Sequence, residues 1–225
     1  MTNREIMQRH FVQELELLKD NIVKMGSVTE QAIESAITAV LERRADLAQA
    51  VIDRDGRINA FEIENDDAVV DLLALQQPVA TDLRFIVAAL KINNDLERIG
   101  DHAVNIAESA RECAACPPVD ILPEIPRMAQ IARMMLHDAI DGFIRGDAAL
   151  CRGVLTNDDI IDDLNRDAVK KLVETIRRDV STIDQSLELI RISRNLERVA
   201  DLATNIAEEV IFMAEARVVK HRFGG

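Results

Sequence analysis

The sequence predicts an all-α fold, two tandem antiparallel three-helix bundles related by internal duplication, and three observations carry that expectation. Alanine, leucine, isoleucine, valine and charged residues dominate the 225 residues, with no Trp, no Tyr and six Phe, which is the composition of a helical bundle. Apolar residues recur at three- and four-residue steps over long stretches, which puts them on one face of a helix. The seventeen residues from Ile92 to Glu108 are written again from Ile192 to Glu208, with ten identities and no gap.

The first rod runs from Arg4 to Arg44, where Phe11, Leu15, Leu18, Ile22, Met25, Ala32, Ala36 and Val40 make one stripe, loosened at Gly26. Asp46 is placed to cap a second helix, which carries Leu47, Val51, Ile58, Phe61, Val69, Leu72 and Leu75 coreward until Gln77-Pro78 interrupts it. A third helix begins at Thr81-Asp82 and reaches Arg111. Cys116-Pro117-Pro118 with Pro123 and Pro126 makes the proline-rich segment, so residues 113–123 read as a linker between a first repeat, 1–112, and a second, 124–225. The second repeat has a helix from Glu124 to Ile144, a break at Arg145-Gly146-Asp147, a helix to Arg178 and a last one from Thr182 to Val219.

A net charge of −13 argues against nucleic acid as a partner and against adsorption to anionic lipid. No uncharged apolar run approaches the roughly 20 residues of a membrane span, and the N-terminus lacks the basic and apolar regions of a signal peptide. The expectation is a cytoplasmic protein that meets membranes only through partners. Cys113 and Cys116 have redox or metal spacing, but no second ligand pair or βαβ pattern accompanies them, and Cys151 reads as a small core residue.

The repeated polar letters are the functional clue. Glu97, Asp101, Asn105 and Glu108 fall within about 80° of arc on a helix, and Glu197, Asp201, Asn205 and Glu208 repeat them. A Glu and an Asp four residues apart repel, so a positive group is expected nearby, and a cation that prefers oxygen ligands would serve. The middle helices repeat less closely at an offset of 103, offering Asp55, Asn59 and Glu62 in one half and Asp158, Asp162 and Asn165 in the other. The same stripes also read as solvated faces, with Arg98 and Arg198 three residues before Asp101 and Asp201 to neutralise them. No Glu-x-x-His, no Gly-rich phosphate loop and no Gly-x-Ser-x-Gly elbow occurs, which counts against a di-iron oxidase, a P-loop enzyme and a serine hydrolase.

At Leu96-Glu97-Arg98-Ile99-Gly100-Asp101, at Leu196-Glu197-Arg198-Val199-Ala200-Asp201 and at Gln77-Pro-x-Ala-x-Asp-Leu-Arg84, the chain resembles the PhoU family over nearly its full length. That resemblance implies a non-catalytic negative regulator of phosphate uptake and phosphate-starvation signalling. Its implied partners are the nucleotide-binding subunit of the phosphate ABC transporter, the sensor histidine kinase of the phosphate regulon and a second copy in a homodimer. It also implies metal ions, iron or zinc first and magnesium or manganese as alternatives. Glu97, Asp101, Glu197 and Asp201 match the family's acidic motifs directly; Asp55, Asp158 and Asp162 match the partner motifs, with Asn59 a departure. A carboxylate-metal enzyme and a metal-free helical adaptor are the competing readings. The exposed look of the acid stripes weighs against the enzyme. The basic tail Arg217, Lys220, His221, Arg222 reads as complementing a helix C-terminus.

Overall fold

The structure, a computed structural model, describes residues 3–76, 78–117 and 121–216; Gln77, Pro118 and the basic tail lie outside the described residues. In chain order the helices are α1 (Asn3–Glu42), α2 (Ala45–Arg54), α3 (Gly56–Gln76), α4 (Ala80–Ala115), α5 (Glu124–Arg145), α6 (Ala148–Leu155), α7 (Asp158–Arg178) and α8 (Ile183–Glu215). A 3-10 turn, Val180–Thr182, leads into α8. No strand occurs among the described residues.

Two long central rods, α4 and α8, make the most extensive contact in the molecule. Lys91 meets Glu209 and His102 meets Asn195, so the two rods run antiparallel. Ala103, Ala107, Ala203 and Ala207 are fully buried along them, and small side chains let the helices approach closely. One continuous core results, to which α1 contributes Leu18, Ile22, Met25 and Ile33, α4 Ile92, Leu96, Ile99 and Ile106, α5 Met128, Met135 and Leu136, and α8 Leu196, Val199 and Ile206. Glu209 is 2 % exposed and is held by Lys91, whose ammonium lies 3.0 Å from both carboxylate oxygens and 5.8 Å from the centre of the Phe212 ring. A charge so deep in a helix interface needs such a partner.

Each middle rod differs from expectation by being divided. α2 gives way to α3 at Asp55, whose carbonyl accepts from the amides of Ile58 at 2.8 Å and Asn59 at 3.4 Å, and Gly56 follows with its low helix propensity. α6 gives way to α7 at Thr156-Asn157, where the Thr156 hydroxyl and the Asn157 amide both bond back to the Gly153 carbonyl, at 2.8 and 3.1 Å. Those side chains compete with the helix's own ladder. Periodicity continues across both breaks, so the pattern of apolar residues hides them. The divisions matter because they aim Asp55 and Asp158 at α4 and α8.

The caps also differ between halves. Asp147 caps α6, its carboxylate accepting from the amides of Ala149 at 2.9 Å and Leu150 at 3.0 Å. At the matching place before α2 stands Arg44, and Asp46, expected as the cap, lies in the first turn and pairs with Arg44 at 2.7 Å. α4 also extends through Cys113 to Ala115, three residues into the expected linker.

The turn after α5 requires the left-handed region, which Gly146 occupies at φ +67°. Gly146→Ala should therefore cost about 1 kcal/mol, a fall of roughly 2–4 °C in Tm, because a Cβ is strained there whatever the space around it. Thermal unfolding followed by circular dichroism checks it. Arg43 holds the matching turn at φ +55°, its guanidinium donating to the Cys116 carbonyl at 2.6 Å.

Candidate metal centre

Each candidate cluster forms where a divided middle rod meets a central rod. In the first half Asp55 stands at the junction of α2 and α3, Asn59 is one turn on, and α4 presents Glu97 and Asp101. Burial first, and then the negative charges of Asp101, Glu62 and Asp55, raise the pKa of Glu97 above the ordinary carboxylate value. The Asn59 amide donates to Asp55 Oδ2 at 3.0 Å. Asp55 Oδ1 and Asn59 Oδ1 are both buried with no hydrogen-bond partner. Two buried acceptor oxygens without a donor are costly, and a cation bound between them would relieve that cost.

In the second half Asp158 opens α7 and Asp162 follows one turn later, facing Glu197 and Asp201 of α8. Asp158 is pushed up to about 6, by burial first and then by Asp201, Asp162 and Asp159. The Thr204 hydroxyl, donating to Asp158 Oδ1 at 3.5 Å, acts the other way. Asp162 is raised by burial, then by Glu197 and Asp201, with Arg166 opposing. Like charges confined in half-buried space hold protons that a cation would displace.

All eight candidate residues thus lie at the two junctions, four to each. The expected exposed stripes are half-buried faces instead, with Asp101 alone of the eight exposed. Burial of the rest follows from the divided rods, which lay α3 and α7 against α4 and α8. Among the described residues, no three Asp, Glu, His or Cys side chains are drawn together tightly enough to ligate one ion as they stand. The oxygen-only donor set fits a hard or borderline cation, and loading would require the carboxylates to close in.

Neutralisation by arginine holds in one copy only. Arg198 donates to Asp201 Oδ2 at 2.8 Å, whereas Arg98 turns to Asp95 at 3.9 Å. Asn165 is occupied, since its Oδ1 accepts from the Ser193 hydroxyl at 2.6 Å and so pins α7 to α8. Asn65 and Asn93, 2.8 Å apart, pin α3 to α4 in the same way. Asn205 lines the cleft between α4 and α8 with Lys91, Asp66, Asp95 and Glu209. Thr204 was hidden from the sequence because the repeat puts Val104 in its place, so matching letters pass over it.

Cys113, Cys116 and Cys151 are free, and burial pushes Cys113 up to about 11 and Cys151 up to about 12, so neither of those two is a thiolate near neutrality. His102 Nδ1 lies 2.8 Å from Asn195 Oδ1 and serves the contact between the central rods. No described helix is long and apolar enough to cross a membrane.

Fold and site together define a helical-bundle protein with an all-oxygen acidic cluster at the middle-rod junction of each half. The PhoU domain family matches the chain twice, over residues 22–110 and 125–210, and the chain belongs to that family. It is 36% identical, over 93% of its own length and 95% of the other, to the phosphate-specific transport system accessory protein PhoU homolog of Aquifex aeolicus. It is similar to the crystal structure of PhoU from Pseudomonas aeruginosa with a TM-score of 0.89 and 34% identity, covering 92% of this chain and all of that one. The phosphate transport system regulatory protein PhoU from Streptococcus pneumoniae matches with a TM-score of 0.85 and 25% identity over 93% of this chain and 99% of that one.

Proposed function

We propose that the protein is a non-catalytic accessory regulator of phosphate transport that represses uptake and phosphate-starvation signalling. It would do so by bridging the nucleotide-binding subunit of the phosphate ABC transporter and the sensor histidine kinase of the phosphate regulon, as a cytoplasmic homodimer. The observation that carries this reading is the family membership, joined to relatives named as accessory and regulatory proteins of phosphate transport. The two acidic clusters supply the working part. Glu97, Asp101, Asp55 and Asn59 would hold one ion or ion cluster, and Glu197, Asp201, Asp158 and Asp162 another, with iron or zinc favoured.

A bound ion supplies positive charge to a repulsive acidic face, which turns it into a neutral surface for a partner. This chain's residues contribute rigidity, since the asparagine and serine bonds fix α3 on α4 and α7 on α8 beneath the acids. Glu97→Ala with Asp101→Ala should leave helicity intact and weaken binding to the transporter subunit and to the kinase at least tenfold, read with purified partners with and without chelator. Unchanged affinity for both partners in the variant would defeat control by the ion, and absence of binding by the unaltered protein to either would defeat the bridging role. A metal-free adaptor is the second reading, favoured by the lack of three converging ligands among the described residues; metal analysis of protein purified without chelator separates the two.

A further inference from the structure

A cleft of about 520 Å³ opens on the first half between α1, the α2–α3 junction and α4. Val28, Leu47, Val51 and Ile58 give it apolar walls, while Gln31 and Ser35 of α1 bring hydrogen-bonding groups to it. Arg54 and Arg57, on either side of the junction, stand at its edge. Neither guanidinium makes a hydrogen bond or ion pair with the described residues, whereas the two rim carboxylates are engaged. Asp53 accepts from Gln49 at 2.8 Å, and Glu34 from Arg133 at 2.7 Å. Both guanidiniums are therefore open to a ligand, beside an Asp53 carboxylate that keeps its charge because its partner is a neutral amide. Asp55 also lines the cleft, and its Oδ1 is the buried acceptor that lacks a donor.

The second half has a different surface at the matching positions. Ala32 corresponds to Met135, which is fully buried, and Ser35 to Asp138. Arg54, Gly56 and Arg57 correspond to Asn157, Asp159 and Ile160, which removes both cations and adds an acid. Gly100 corresponds to Ala200; a Cβ on Gly100 would lie 2.9 Å from the end of the Ile58 side chain, so the glycine leaves room for Ile58 against α4. The cleft and two unengaged guanidiniums thus occur together in the first half.

We infer that this cleft binds a small organic phosphate of nucleotide size, its apolar ring body between α1 and α2, its phosphate at Arg54 and Arg57, and a hydroxyl donating to Asp55. The volume lies within the range of small-molecule sites, and a guanidinium pair matches phosphate oxygens by bidentate hydrogen bonds. Because Asp55 is shared with the acidic junction, the occupant would report to the same α3–α4 contact as the candidate ion, and the inference does not depend on an ion being bound.

Titration calorimetry with AMP, run with excess chelator so that no metal contributes, tests it; adenosine and inorganic phosphate are the comparison probes. Saturable AMP binding is expected, at least tenfold tighter than either fragment. Arg54→Ala with Arg57→Ala should weaken AMP tenfold or more and leave adenosine unchanged. Gly56→Phe should abolish both, and the fold should tolerate it because a Cβ at Gly56 meets nothing within 4 Å. Thermal unfolding confirms that the variants are folded. No saturable binding of AMP by the unaltered protein would overturn the inference, as would binding that both variants leave unchanged or that inorganic phosphate alone reproduces.

Discussion

Gly142→Ala is expected to destabilise the protein by about 2 kcal/mol, lowering Tm by roughly 4–8 °C, with no change in any surface property. A Cβ at this position of α5 would lie 2.4 Å from the sulfur of Cys151 in α6, and Cys151 is fully buried. Neither atom has solvent to retreat into. The first half shows how the conflict can be solved, since its matching positions hold Ala39 and Ala48, both fully buried. Gly142→Ala with Cys151→Ala rebuilds that pair in the second half. The double variant should regain most of the loss, a favourable coupling of about 1 kcal/mol or more, although Cys151→Ala alone leaves a small void and costs stability. Denaturant unfolding of the four proteins closes the cycle. A single variant as stable as the parent, or a double variant weaker than the glycine variant alone, would rule out packing of this kind.

The same pair shows what the sequence discloses and what it conceals. Helices, their order and their inward faces are legible because burial imposes a period on apolar letters: Leu18, Ile22 and Met25 lie inside as that period requires. The meeting of Glu97 and Asp101 with Asp55, and of Glu197 and Asp201 with Asp158 and Asp162, was legible because the acids recur in step in both halves. What the period does not record is competition for individual backbone bonds. The breaks at Asp55 and at Thr156-Asn157 come from single side chains and a glycine, and they leave the apolar spacing intact. Comparison of halves misleads wherever they differ. Asp46 suits a cap by its type, yet Arg44 holds that place, and in the second half Asp147 caps the matching helix. Burial of the acids was illegible for the same reason, since it depends on the bend of α2–α3 and α6–α7.

Addition of Zn²⁺ should stabilise the protein strongly at pH 7.5 and weakly at pH 5, and the second acidic cluster supplies the reason. Asp158 is raised from an ordinary carboxylate value to about 6 by burial and by Asp201 and Asp162. Its proton is held more tightly in the folded chain, so this group favours the ion-free fold at low pH, and that contribution disappears as pH rises through about 6. Above that point the carboxylates repel, and a cation offsets the repulsion; below it, protons compete for the same oxygens. At a free Zn²⁺ concentration of 100 times Kd the gain is about 2.7 kcal/mol per site, or roughly 5–10 °C in Tm, and it should shrink severalfold at pH 5. Asp158→Asn separates the two effects. Without ion it should raise stability at pH 7.5 by about 1 kcal/mol, a figure reduced for solvent screening because the carboxyl is half-exposed. The same change should remove most of the stabilisation by Zn²⁺ at that cluster. An ion effect of equal size at both pH values, undiminished in the Asn variant, would place any bound Zn²⁺ away from Asp158.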